Sequence, residues 1–152
     1  MSSLLFRAWS AAKRGDFAQA GQLYRSAGKL DAAVEMFLRA GELRAAAAAE
    51  VEMGKVFDAA KHLCEAGDRI EAADLLRDNR RYLQAAQLYV ELGHLSQAVA
   101  MALEADKPLL AAQYLESKEK FYEAGKLLAA HEEHVGKAML YFERALLGFP
   151  DT

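Results

Sequence analysis

Few side chains in this sequence stand at spacings that chemistry would use, and each such group has a plainer structural reading. His131-Glu132-Glu133-His134 offers two imidazoles and two carboxylates, the donor types that hold zinc. Its histidines are three residues apart, whereas the zinc-protease motif sets them four apart on one helix face. The segment therefore reads as a solvated junction between two helices. Cys64 falls in the apolar arc of its segment with no catalytic signature around it, so it reads as a buried structural thiol. His62 reads as packed and His94 as a turn residue. Asp74 and Asp78, four apart, read as one solvated helix face. The regularly spaced glycines lie too far apart to form a phosphate-cradling nest. No nucleophile–base pair and no metal set is visible, so the sequence points away from an enzyme and implies no cofactor.

Carboxylate recognition is the chemistry that the arginines favour. Arg25 and Arg77 occupy a recurring position that elsewhere holds Leu38, Cys64 or Val90, and Arg44 and Arg69 sit near helix starts. Glu50 stands where a core aromatic would be expected. Together with Tyr24 and Val51, these residues form the expected partner-binding surface. The planar guanidinium fork would suit an acidic peptide or an acidic protein surface; ordinary surface charge is the alternative. Between them lies Ala45–Ala49, a run with almost no large side chains. It reads either as a tight helix crossing or as the floor of a shallow groove.

The elements that must position these residues are set by an internal repeat. Gly15, Gly28, Gly41, Gly54, Gly67 and Gly93 fall on a thirteen-residue grid whose remaining points are Arg80, Asp106 and Glu119. Five residues after each point stands alanine: Ala20, Ala33, Ala46, Ala59, Ala72, Ala85, Ala98, Ala111 and Ala124. Glycine ends a helix at no steric cost because it takes the left-handed conformation freely. Each unit thus reads as about ten helical residues and a turn of about three, with Asp16, Asp31 and Ser96 as candidate caps. Pro108 falls at a helix start, where its missing N–H costs nothing. Polar residues recur at the fourth, seventh and eleventh positions, as in Asp58, Lys61 and Glu65, and lie on one face. The remaining arc is apolar or alanine, wide enough to need neighbours on two sides.

The fold expected is an all-α, right-handed α-solenoid of about eleven short antiparallel helices. It would form one domain over residues 1–152, with a capping helix at 1–14, regular repeats at 15–132 and a capping helix and tail at 133–152. At the ninth position alternate units carry a large residue (Phe37, Leu63, Tyr89, Leu115, Tyr141), while the intervening units vary (Tyr24, Glu50, Leu76, Ala102, Leu128). This predicts two helix classes that differ in burial.

The pattern Ala-x3-aromatic-x2-Ala, present as Ala20-Tyr24-Ala27 and Ala33-Phe37-Ala40, resembles the second-helix signature of tetratricopeptide repeats. Weaker copies are Ala59-Leu63-Ala66, Ala85-Tyr89-Leu92 and Ala98-Ala102-Ala105. Tetratricopeptide hairpins run 34 residues; these run 26 and carry the signature in both helices. The chain is similar in this to the compact helical repeats of clathrin, coatomer and intraflagellar-transport subunits. The resemblance implies a protein-interaction scaffold or adaptor that binds its partner on a concave face.

The ends carry unusual apolar content. The first helix offers Leu4, Phe6 and Trp9, and the last offers Phe142, Leu146 and Phe149. These are either the inner faces of caps or docking surfaces for oligomerisation or regulation, including a homo-oligomer. Composition agrees with the repeat: 32 of 152 residues are alanine, two are proline and 53% are hydrophobic. A net charge of −3 disfavours nucleic acid, although residues 1–50 carry +2 and the rest −5. No apolar run approaches the roughly 18 residues of a membrane span. The opening apolar patch is too short, and Arg7 too early, for a signal peptide. A single cysteine gives no internal disulfide. The expected setting is cytoplasmic.

Overall fold

The thirteen-residue grid becomes a succession of helices in the computed structural model, which describes residues 3–148. Eleven α-helices follow one another: α1 Leu4–Lys13, α2 Phe17–Ser26, α3 Leu30–Arg39, α4 Leu43–Glu52, α5 Val56–Glu65, α6 Arg69–Asp78, α7 Tyr82–Glu91, α8 Leu95–Glu104, α9 Pro108–Glu116, α10 Phe121–Ala129 and α11 Val135–Leu147. A short 3-10 turn, Glu132–His134, separates the last two, and no strand occurs among the described residues. The helices group into two compact units, Met1–Asn79 and Arg80–Thr152. Within each unit every helix packs on the next in sequence. This is the consecutive packing of an α-solenoid-like repeat. None of the described helices is long and apolar enough to cross a membrane.

The turns explain the grid. Every grid point from Gly15 to Glu119 has a left-handed backbone, including the three that are not glycine: Arg80 at φ 60°, Asp106 at 57° and Glu119 at 56°. At Gly28 the N–H bonds back to the Arg25 carbonyl, and the next N–H, of Lys29, bonds to that of Tyr24. This pair of bonds closes the orphan carbonyls of a helix end. The Lys29 carbonyl then accepts from the Ala33 N–H, the first bond of α3. One residue thus completes the helix behind it and starts the helix ahead, which is why the turn is only three residues long. Asp16 fills this role before α2 without a side-chain cap bond. Asp31 and Ser96 lie inside their helices rather than at the cap. Pro108 is the first residue of α9, as its chemistry requires.

The alanine five residues after each grid point is fully buried in all nine units. Only a methyl group fits where one helix meets its neighbours, and any larger side chain would force the helices apart. The polar face is exposed at Asp58, Lys61 and Glu65. The expected difference between two helix classes is not found. Glu50, Leu76, Ala102 and Leu128 are buried at the ninth position just as Phe37, Leu63, Tyr89, Leu115 and Tyr141 are. Within each unit helices of both classes pack on their sequence neighbours, and both classes bury this position, with Tyr24 only half-buried.

Two glycines within helices serve packing instead. A Cβ on Gly21 would lie 2.7 Å from Cδ1 and Cε1 of Phe37, and one on Gly125 equally close to Cδ1 and Cε1 of Phe142. In each case an aromatic ring of the next helix rests on bare backbone.

Candidate functional site

A groove runs between α4 and α6 in the first unit. Arg44, Ala47, Ala48 and Val51 line it from α4, spaced as one helical stripe. Glu71, Asp74, Leu75 and Asp78 line it from α6 with the same spacing, and Leu63 of α5 lies beneath. The groove exists because the alanine run Ala45–Ala49 supplies no side chain to fill it, and its volume is about 310 Å³. Its lining sets one guanidinium against three carboxylates.

The arginines expected to face a partner are engaged within the protein. Arg25 of α2 reaches Glu52 of α4, with its Nε 2.7 Å from the carboxylate. Arg44 of α4 forms a two-pronged ion pair with Asp68, which precedes α6, and also donates to the Ala66 carbonyl at 3.3 Å. The hydrogen bond to Asp68 raises the guanidinium pKa, and the same bond holds the Asp68 carboxyl below its ordinary value. Arg77 lies 3.1 Å from Asp74 and 3.0 Å from Asp78, so it braces the acidic wall from its own helix. Arg69 is the exposed first residue of α6. These pairs link α2, α4 and α6 into one layer of the unit, while Lys55 and Asp31, 3.7 Å apart, link α5 to α3 in the other.

Of the residues expected at the binding surface, Arg44 and Val51 line the groove and Arg77 bonds to its wall. Tyr24 is elsewhere, packed between the cluster of Ala11, Ala20 and Met36 and that of Ala33, Phe37 and Ala46. Glu50 is not at a surface. It is 4% exposed and accepts a 2.8 Å hydrogen bond from His62 Nδ1, which fixes the imidazole tautomer. A carboxylate can occupy this interior position because the neighbouring helix brings a donor. Asp74 and Asp78, read from sequence as a solvated face, form the groove wall. Their i,i+4 spacing was the signal that put the two on one helix face.

The remaining candidates have ordinary surroundings. Cys64 is half-buried rather than enclosed. The rings of His131 and His134 lie 6.1 Å apart at the α10–α11 junction, and the described residues contain no group of three or more metal-ligating side chains placed to hold an ion. His94 stacks on Tyr89 at the turn before α8.

The end helices are exposed. Leu4, Phe6 and Trp9 all face solvent, with the two rings 5.9 Å apart and Lys13 lying 5.5 Å from the Trp9 ring. Leu146 of α11 is 73% exposed, whereas Phe142 is half-buried. Phe149 lies outside the described residues. Comparison of the chain with family models, with curated proteins and with solved structures returns no match.

Proposed function

We propose that this chain is a non-catalytic interaction module, a tetratricopeptide-like scaffold or adaptor that holds a partner segment in the groove between α4 and α6. The observation that carries this reading is the groove itself, a mostly apolar α4 stripe of Ala47, Ala48 and Val51 facing an acidic α6 stripe of Glu71, Asp74 and Asp78. Helical-repeat proteins use such concave strips to bind peptides. The charge of the partner differs from the one the arginines imply. Arg25, Arg44 and Arg77 already meet carboxylates, and the lining keeps an excess of acid. A basic segment suits it, with aliphatic stems against Ala47, Ala48 and Val51 and cationic heads toward Glu71 and Asp78.

Fluorescence anisotropy with labelled helical peptides of lysine-rich and glutamate-rich composition tests this. The lysine-rich peptides should bind, and more weakly as salt rises. Glu71→Lys should weaken binding at least tenfold, and Ala48→Trp, which fills the groove, should abolish it, with both variants keeping the parental helical melt. Equal binding by the groove-filled variant, or preference for the acidic peptides, would sink the reading.

A further inference from the structure

The second unit carries a larger groove, about 870 Å³, between α10 and α11. Phe121, Tyr122, Phe142 and Leu146 line it, with Glu119 and Glu123 among its polar residues. It is open because Gly125 has no side chain: the Phe142 ring settles onto the α10 backbone instead of standing above it. Tyr122 lies 5.8 Å from that ring, and Arg144 is drawn 4.6 Å over Phe121. The walls are left apolar and accessible, with Tyr122 57% exposed.

The first unit carries a helix of complementary character. The inner face of α1 is buried through Ala8 and Ala11, while its outer face presents Phe6 and Trp9, more than half exposed. Phe6, Trp9 and Lys13 are spaced i, i+3 and i+7, the anchor pattern by which an amphipathic helix enters a groove. Residues 3–15 include Arg7, Lys13 and Arg14 and no carboxylate. The α10–α11 groove sets two carboxylates against one guanidinium, and that guanidinium is held on a ring.

We propose that α1 of one copy docks in the α10–α11 groove of a second copy, its two rings against Tyr122, Phe142 and Leu146 and its cations toward Glu119 and Glu123. The two surfaces differ, so the contact is heterologous. Each copy keeps one donor helix and one acceptor groove, and assembly continues beyond a dimer into chains or rings. Aromatic anchors in a desolvated trough would dominate the affinity.

Sedimentation velocity on the full chain over a concentration series tests this, with Trp9→Glu blocking the helix and Leu146→Glu blocking the groove. Both positions are exposed, so both variants should melt as the parent does by circular dichroism. Phe6→Glu and Tyr122→Lys replace them if either fails to fold. The parent should grow past dimer with concentration, less so at high salt. Each variant alone should need at least about tenfold more protein to associate. The two variants mixed in equal amounts should form a dimer that grows no further, because each retains only the surface that the other lacks. A parent that stays monomeric throughout overturns the proposal, as does a variant that associates alone at the parent's concentrations or a mixture that fails to pair.

Discussion

Gly21 shows how much one missing methyl group can decide. Glycine inside a helix is worth about 1 kcal/mol less than alanine, so on propensity alone Gly21→Ala would stabilise α2. The ring of Phe37 reverses the sign. It is 2% exposed and its carbons lie 2.7 Å from where the new Cβ would stand. Gly21→Ala should therefore destabilise the protein by about 1–3 kcal/mol by urea denaturation. Gly125→Ala should cost less, since the half-buried Phe142 has room to swing outward. Tyr141 gives a residue-scale prediction for pH. Its hydroxyl donates to Glu116 at 2.6 Å, and burial, reinforced by that bond, raises its pKa to about 12. The folded value lies above the ordinary value of about 10. The neutral phenol therefore stabilises the fold fully below about pH 10, and that contribution is lost as pH rises toward 12. Unfolding midpoints taken at about pH 9 and pH 11 should fall less in Tyr141→Phe than in the parent.

Among the elements, the turns set the architecture. Three of them hold a side chain in the left-handed region, which costs about 1–2 kcal/mol for residues other than glycine. Arg80→Gly, Asp106→Gly and Glu119→Gly should each stabilise the protein, by up to about 1 kcal/mol after the added freedom of the unfolded chain is subtracted. Thermal melts of the three variants check this, and a drop in any of them would contradict the strain. These turns were legible in the sequence although they lack glycine, because the fully buried alanines five residues later keep the register. The helices were legible for the same reason. The interior place of Glu50 was not. A carboxylate reads as surface until its donor is known, and His62 lies on the next helix at a separation that no intrahelical rule covers. The arginine partners were hidden similarly. Glu52 and Asp68 lie 27 and 24 residues from Arg25 and Arg44, about two units away. Only the stacking of alternate helices brings them together.

At the scale of the whole molecule, the two grooves belong to different units and arise from small residues in different ways. Ala45–Ala49 leaves the α4–α6 groove unfilled, and its possibility was visible in the sequence. Gly125 lowers a ring to open the α10–α11 groove, and no pattern along the chain announces that. The apolar content of the end helices was plain from sequence, but which of those residues sink and which stay exposed depended on packing. The turn residue that closes one helix and opens the next also governs how such a molecule can change in length. From α1 to α9 no spare residue stands between neighbouring helices to absorb an insertion. A single added or lost codon would disrupt two helices at once and shift every buried alanine beyond it. A duplication of thirteen codons would restore each methyl group to its seat. Growth and loss in such a gene should therefore leave viable products mainly in steps of one whole repeat.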